Sequence, residues 1–319
     1  QNTLPTVSII IPAYNEEKVI GYCLDSINEL DYPKELIEVI VIDDGSTDRT
    51  PEIINRYPFV KKIEGSHKGP SAARNLALRE AKAEYLAFTD ADCIVPPSWI
   101  KQLLKEFISD DIAGVGGIQV PPKNESSFGI AVNRVINALG LITGYSNIRK
   151  TSAFVEHNAS CNVMYKKRIL TEVGGFDENL WPGEDVELDY KIIRTDHKLR
   201  QNPEVAVEHY RPSSLAQYRK MMYRYGLAQA YLVRKFGIFR KIQIVPFVSL
   251  LAIFVTIIIL LTFKLTGLFL VAFLATLLFL LIGFPRGLRN PLEYLLVFFT
   301  LYEWHKGFFS CLLGFRNVK

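Results

Sequence analysis

From Val7 to Thr89 short runs of aliphatic and β-branched residues alternate with longer amphipathic stretches. Val7 to Ile11, Glu38 to Asp43, Val60 to Glu64 and Tyr85 to Thr89 read as strands; Glu16 to Leu30, Thr50 to Tyr57 and Pro70 to Lys82 between them read as helices. Strand, helix, strand repeated in this way predicts an α/β domain on a mostly parallel central sheet with helices on its faces. Ligands of such sheets bind beyond the carboxyl ends of the strands, so the residues that follow each run are the ones to inspect.

Beyond Arg240 the pattern changes. Ile244 to Phe263 and Leu265 to Phe284 are almost uncharged, and each supplies the ~20 apolar residues a helix needs to cross a bilayer. The link from Lys264 to Gly267 is long enough only to reverse the chain, so a C-terminal transmembrane helical hairpin is expected. Arg234, Lys235, Arg240 and Lys241 precede it, and Arg286 and Arg289 follow. Such basic flanks stay on the cytoplasmic side, which predicts a multi-pass cell-membrane protein whose larger part is cytosolic.

Ser213 to Phe236 sets Leu215, Tyr218, Met222, Tyr225 and Leu232 among five basic residues, the pattern of a helix lying among lipid headgroups. Phe128 to Tyr145 is a second amphipathic stretch, equally suited to a core. Leu292 to Phe315 has spanning length, but charges such as Glu303 and Lys306 cost about 2.5–3.5 kcal/mol each at mid-bilayer, favouring an interfacial or re-entrant helix over a third span. The expected division is an α/β domain over 1–212, an interfacial region over 213–240, the hairpin over 241–285 and a last membrane-associated segment over 286–319.

Charge and cysteine usage narrow this further. The net charge is +4 over 319 residues, with the basic side chains gathered beside the apolar segments, so they point to anionic lipid rather than nucleic acid. Cys23, Cys93, Cys161 and Cys311 show no paired spacing, as expected of reduced thiols.

Candidate chemistry falls at four strand ends. Pro12-Ala13-Tyr14-Asn15-Glu16-Glu17 follows the first strand. Asp43-Asp44-Gly45-Ser46-Thr47-Asp48 follows the second, and its Gly and Ser/Thr can close a turn while leaving an acid to face a ligand. His67 to Asn75 is a Gly-Pro loop opening a helix, where backbone N–H groups with Lys68 and Arg74 suit a nucleotide. Asp90-Ala91-Asp92 offers two carboxylates that can jointly hold a hard divalent cation against a diphosphate.

These segments, in this order and together with Gly183-Glu184-Asp185, resemble glycosyltransferase family 2 over about residues 6 to 235. The resemblance implies the GT-A type of nucleotide-sugar-binding fold and an inverting, metal-dependent transfer from a nucleotide-sugar donor. It places Pro12, Tyr14 and Glu16 beside the base and ribose, Asp44 against a base N–H, Lys68 and Arg74 along the base and phosphate, and Asp90 at the ribose. Asp92, with Asp90 and His209, would bind Mg²⁺ or Mn²⁺. Val173 to Leu188 looks like the acceptor-side element, in which Asp185 would take the proton of the attacking hydroxyl and Glu184 would bind acceptor. Arg74 with Asp44 leans toward uridine, and hence a UDP-sugar, with guanosine as the alternative.

A catalytic domain tied to a bilayer suggests a lipid-linked or glycolipid acceptor, such as a polyprenyl phosphate or a lipid-linked glycan. Gln217-Tyr218-Arg219-Lys220-Met221 departs from the Gln-x-x-Arg-Trp element of processive relatives, which counts against polymer synthesis. A non-catalytic nucleotide-sugar-binding membrane protein is the other alternative, and Asp92 and Asp185 count against that.

Overall fold

The computed structural model describes residues 4–139, 151–263, 288–316 and 318, and divides the chain into two units, with breaks at Gly129/Ile130 and Arg211/Pro212. The first unit carries strands β1 (Val7–Ala13), β2 (Ile37–Asp43), β3 (Val60–Glu64), β4 (Tyr85–Phe88), β5 (Cys93–Ile94), β6 (Ile112–Val120), β7 (Ala153–Val155), β8 (Val163–Lys166) and β9 (Lys198–His209). They form one sheet in the order β3-β2-β1-β4-β8-β6-β9-β5, with β7 pairing β9.

The amino-terminal half is parallel throughout, as the alternation of runs implies, with β3, β2, β1 and β4 side by side. The other half is mixed: β8 runs antiparallel to both β4 and β6, β9 is parallel to β6, and β5 and β7 are antiparallel to β9. Strand β6 is rich in glycine because its neighbours close in on it. A Cβ at Gly117 would lie 2.0 Å from the Val205 carbonyl oxygen. Such a strand lacks the side-chain alternation by which the earlier strands announce themselves.

Successive residues of β1 serve opposite layers, as the pleat requires. Val7, Ile9 and Ile11 pack with Cys23, Leu24 and Ile27 of α1 (Ile20–Asn28) and Trp99, Ile100 and Leu103 of α4 (Trp99–Leu104). Ile10 joins Ala73 and Ala77 of α3 (Pro70–Glu80), Ile169 of α6 (Lys167–Glu172), and Leu188 and Ile192 of α7 (Glu184–Ile193) on the other face. Helices α2 (Thr50–Ile54) and α5 (Ser127–Leu139) are the remaining helices before α8, α5 running on into the second unit.

In the second unit α8 (Leu215–Phe236) and α10 (Pro291–Leu312) pack side by side. The contact pairs rise together along both helices, Tyr218 with Thr300, Arg219 with Glu303 and Arg234 with Cys311, so the two run in the same direction. Two glycines let them touch: a Cβ on Gly226 would fall 2.0 Å from the Trp304 carbonyl oxygen, and one on Gly307 2.0 Å from that of Tyr223. The apolar face of α8 expected to meet lipid is therefore covered by protein, with Tyr218, Met222, Leu227 and Leu232 buried. Glu293 and Glu303, the acids of the last segment, are buried and paired with Arg134 and Arg219.

Helix α9 (Val245–Phe263) is the one helix among the described residues long and apolar enough to cross a membrane, and it exposes Leu250, Leu251, Phe254 and Leu261. The second arm of the expected hairpin, Leu265 to Phe284, lies outside the described residues, as does the end of the Phe128 to Tyr145 stretch.

Candidate active site

The loops after β1 and β2 are tied to each other before they meet any ligand. Asn15 donates its N–H to Ser46 Oγ at 3.0 Å and accepts from the Thr47 N–H at 2.8 Å, while Glu16 N–H reaches Thr50 Oγ1 at 2.7 Å. Asp43 closes its own turn by accepting from the Ser46 N–H at 3.0 Å. Asp44 does the work of the next loop: its two carboxylate oxygens accept from the backbone N–H groups of Lys68 at 3.3 Å and Gly69 at 2.7 Å. A carboxylate has about four lone-pair positions, so Asp44 keeps capacity for a further donor such as a base N–H. The Tyr14 ring lies 4.8 Å from that of His67 at the mouth of the same loop, and Tyr14 is 44% exposed. Pro12 is half-buried in β1, and the Lys68 side chain is exposed.

Arg74 differs from the expectation that it lines the base and phosphate. It is 2% exposed on the inner face of α3, and both terminal nitrogens of its guanidinium are bound by protein: Nη2 donates to Asp90 Oδ1 at 2.6 Å and Nη1 to Glu184 Oε1 at 2.7 Å. Burial alone would lower its affinity for the proton, but the two carboxylates more than reverse this and raise it. Glu184, expected to bind acceptor, is likewise buried against Arg74. Burial and the adjacent Asp185 charge push its carboxyl up to about 7 even so. The pair holds the site together from beneath.

Helix α3 also fixes the loop that precedes α7. Asn75 brackets Phe176, accepting from its N–H at 2.9 Å and donating to its carbonyl at 2.9 Å, and Ser71 Oγ donates to the Leu180 carbonyl at 2.8 Å. Gly175 has φ +68°, and a Cβ there would sit 2.5 Å from Asn75 Oδ1, so only glycine fits this turn. The loop delivers Glu184 and Asp185 to the first turn of α7, where the helix N-terminus favours negative charge. Asp185 accepts from the Ser160 N–H at 3.3 Å and its side chain is 18% exposed.

Asp92 and His209 meet because of strand register. Cys93 of β5 pairs with His209 at the end of β9, so the residue just before β5 faces the imidazole. Asp92 Oδ2 lies 3.3 Å from His209 Nε2, with the two side chains 32% and 20% exposed. His209 Nδ1 is 2.8 Å from Gln119 Oε1. With Nδ1–H donating there, the Nε2 lone pair faces a carboxylate, an arrangement that a cation between them relieves. Glu16 adds a third acid: burial, then the Asp92 and Asp90 charges, push it up to about 7. An oxygen-rich cluster with one imidazole fits Mg²⁺ or Mn²⁺. Arg211, buried beside it, donates to Gln119 Oε1 at 3.1 Å. Cys93 and Cys161 also come within 4.8 Å of His209, a proximity their positions in the chain gave no sign of.

Sequence reading passed over His157, Asp189, Arg211 and Gln119. Of these Asp189 had a legible signal, since it follows Asp185 by one helical turn in Glu-Asp-Val-Glu-Leu-Asp.

Residues 8–174 match the family described as Glycosyl transferase family 2. Over 98% of this chain and 96% of the relative, the sequence is 28% identical to the dolichyl N-acetyl-alpha-D-glucosaminyl phosphate 3-beta-D-2,3-diacetamido-2,3-dideoxy-beta-D-glucuronosyltransferase of Methanococcus voltae. It is 30% identical to glycosyltransferase AglE of Haloferax volcanii across 58% of this chain and 60% of that protein. The structure is similar to that of mannosyltransferase PcManGT from Pyrobaculum calidifontis, solved with GDP-Man and Mn²⁺, at TM-score 0.70 and 22% identity over 98% of this chain and 88% of that one.

Proposed function

The chain belongs to glycosyl transferase family 2 and has the GT-A fold, and from this we propose that it is an inverting, divalent-metal-dependent enzyme extending a lipid-linked saccharide with sugar from a nucleotide donor. The observation that carries the reading is the Arg74 fork, which ties Asp90 on the donor side to Glu184, and so to Asp185, at 2.6 and 2.7 Å.

In this reading Tyr14 and Asp44 receive the base, and the backbone amides of Lys68 and Gly69 stay committed to holding Asp44. Asp92 and His209, with the remaining capacity of Asp90, are the residues that would hold Mg²⁺ or Mn²⁺. Such a cation, when bound, neutralises the diphosphate and eases its departure. Asp185 takes the proton of the acceptor hydroxyl as its oxygen attacks the anomeric carbon from the face opposite the leaving group, which inverts that centre. Arg74 and the Asn75 bracket keep this carboxylate from drifting relative to the donor, where a small misplacement would be costly in rate.

A lipid-linked acceptor is supported by the exposed apolar helix α9 and by the M. voltae relative, whose name specifies a dolichyl-linked sugar phosphate. Membrane attachment through α9, with the basic residues Arg234, Lys235, Arg240 and Lys241 on the cytosolic side, belongs to the same proposal. Single transfer is favoured over processive synthesis, because Lys220 and Met221 stand where the Gln-x-x-Arg-Trp element of processive relatives has its Arg and Trp.

The test is thermal stabilisation of the detergent-solubilised protein by UDP- and GDP-sugars, each with and without Mn²⁺. Ligands that bind the native state raise its apparent stability. A shift with one nucleotide class that requires metal is the expected result; folded protein indifferent to every donor would overturn the donor site.

A further inference from the structure

His157 sits in the loop between β7 and β8, is 5% exposed, and faces two carboxylates of α7. Its Nδ1 lies 2.9 Å from Asp189 Oδ2 and its Nε2 3.8 Å from Asp185 Oδ2. Asp185 and Asp189 stand one helical turn apart, so both project from the same side of α7 toward the imidazole.

Asp189 is wholly buried and collects three donors: the Asn158 N–H at 2.7 Å, the Tyr165 hydroxyl at 2.6 Å and His157 Nδ1 at 2.9 Å. A carboxylate held this way acts as acceptor at each contact, which puts the hydrogen of a neutral imidazole on Nδ1. Nε2 is then left with a lone pair turned to Asp185. A histidine kept only for packing would be expected to satisfy that second nitrogen within the core. Here it is aimed at the one carboxylate of the pair that reaches solvent.

Resting on the assignment of Asp185 as base, we propose that His157 is its positioning and proton-receiving partner, with Asp189 fixing the imidazole tautomer. As the acceptor oxygen bonds to the anomeric carbon, its O–H bond breaks and the proton goes to Asp185. The bond from the anomeric carbon to the diphosphate breaks at the same time, its electron pair leaving with the nucleoside diphosphate. Asp185 then passes the proton to Nε2 of His157 and returns to its ionised form. The imidazolium so formed lies between two carboxylates, which compensate its charge in a buried place; among the described residues Tyr165 on β8 is bonded to Asp189, and Glu184, next to Asp185 on α7, is paired with Arg74 on α3. The resting separation of 3.8 Å exceeds a hydrogen bond and shortens once Asp185 has a proton to donate.

The full-length protein in detergent, labelled with ¹⁵N-histidine and assigned through His157→Asn, reports the tautomer directly. Asn at this position keeps a donor where Nδ1 was and removes Nε2, so the Asp189 contact survives while the relay does not. Turnover is read as nucleoside diphosphate release from UDP-GlcNAc or GDP-mannose with Mn²⁺, water serving as acceptor. The expected result is an Nδ1-protonated His157 in the wild type, lost or mixed in Asp189→Asn, with turnover in both variants down about a hundredfold at unchanged donor KM. An Nε2-protonated ring in the wild type overturns the proposal, because that nitrogen could not receive a proton. So does wild-type turnover in His157→Asn alongside an inactive Asp185→Asn. Undiminished turnover in Asp185→Asn instead removes the base assignment itself, whatever the tautomer.

Discussion

Nη1 of Arg74 donates to Oε1 of Glu184 at 2.7 Å, joining two buried side chains 110 positions apart in the chain. The same guanidinium holds Asp90 through Nη2. A planar fork with fixed donors sets both carboxylates in one geometry, where an ammonium would offer a single point charge on a flexible stem.

Arg74→Ala would leave Glu184 buried without its cation. Breaking a buried pair from one side costs roughly 3–5 kcal/mol, so the unfolding midpoint of the variant is expected to drop steeply, and Arg74→Lys to fall between the two. Denaturant unfolding of the three proteins checks this; equal midpoints would mean the fork contributes no stability.

Asp185→Asn keeps the shape of the side chain and removes its basicity. Transfer should fall by about 10²–10⁴-fold, with thermal stabilisation by the donor unchanged. Retention of both rate and donor binding would refute the base assignment.

Asp92→Ala and His209→Ala each remove one candidate ligand of a cation. The Mn²⁺ concentration needed for half-maximal donor stabilisation should rise about tenfold or more. A titration with Mn²⁺ at fixed donor reads this, and a donor response independent of metal in the wild type would sink the prediction.

Glu184 provides the pH dependence. Burial first, then the Asp185 charge, raise its carboxyl from 4.5 to about 7 in the folded chain. Between those values the native state holds a proton that the unfolded state has lost, so this group makes stability fall as pH rises through that window. In Glu184→Gln the slope of melting temperature against pH from 5 to 8 should flatten; an unaltered slope assigns the pH dependence elsewhere.

Gly226 allows no side chain, since its Cβ position is 2.0 Å from a backbone oxygen of α10. Gly226→Ala is expected to cost about 1–3 kcal/mol by forcing the helices apart, and Gly226→Val more. Limited proteolysis of the second unit reads the loosening, and resistance equal to wild type in both variants would show that the pair tolerates separation.

The parallel half of the sheet was legible because Val7 to Ile11 and its sisters are dense, β-branched and separated by helical spacing. Its second half was not. Strand β6 has no room for side chains at Gly114, Gly116 and Gly117, where Tyr165, Asn158 and the Val205 carbonyl of β9 close in, and glycine carries no alternation to read. For the candidate site, Asp44, Asp90, Asp92 and Asp185 stand out in the sequence by their places after strands or at a helix start. The burial of Arg74 and Glu184 could not, because a charged pair looks exposed until its partners are known to be far apart in sequence and adjacent in space. His157 was hidden for the same reason, its partners being 28 and 32 positions away, the second of which its hydrogen bond makes plain.

The bracket that α3 places on Phe176, Leu180 and Glu184 ties a later stretch of the chain to an earlier helix. The stretch from Gly175 to Gly183 has no helix or strand of its own and takes its shape from a helix made a hundred positions earlier. On the ribosome, where the amino-terminal part emerges first, α3 and the parallel strands are already available as a mould when this stretch appears. A carboxyl-terminal fragment made without them would have Glu184 and Asp185 and nothing to cast their loop against.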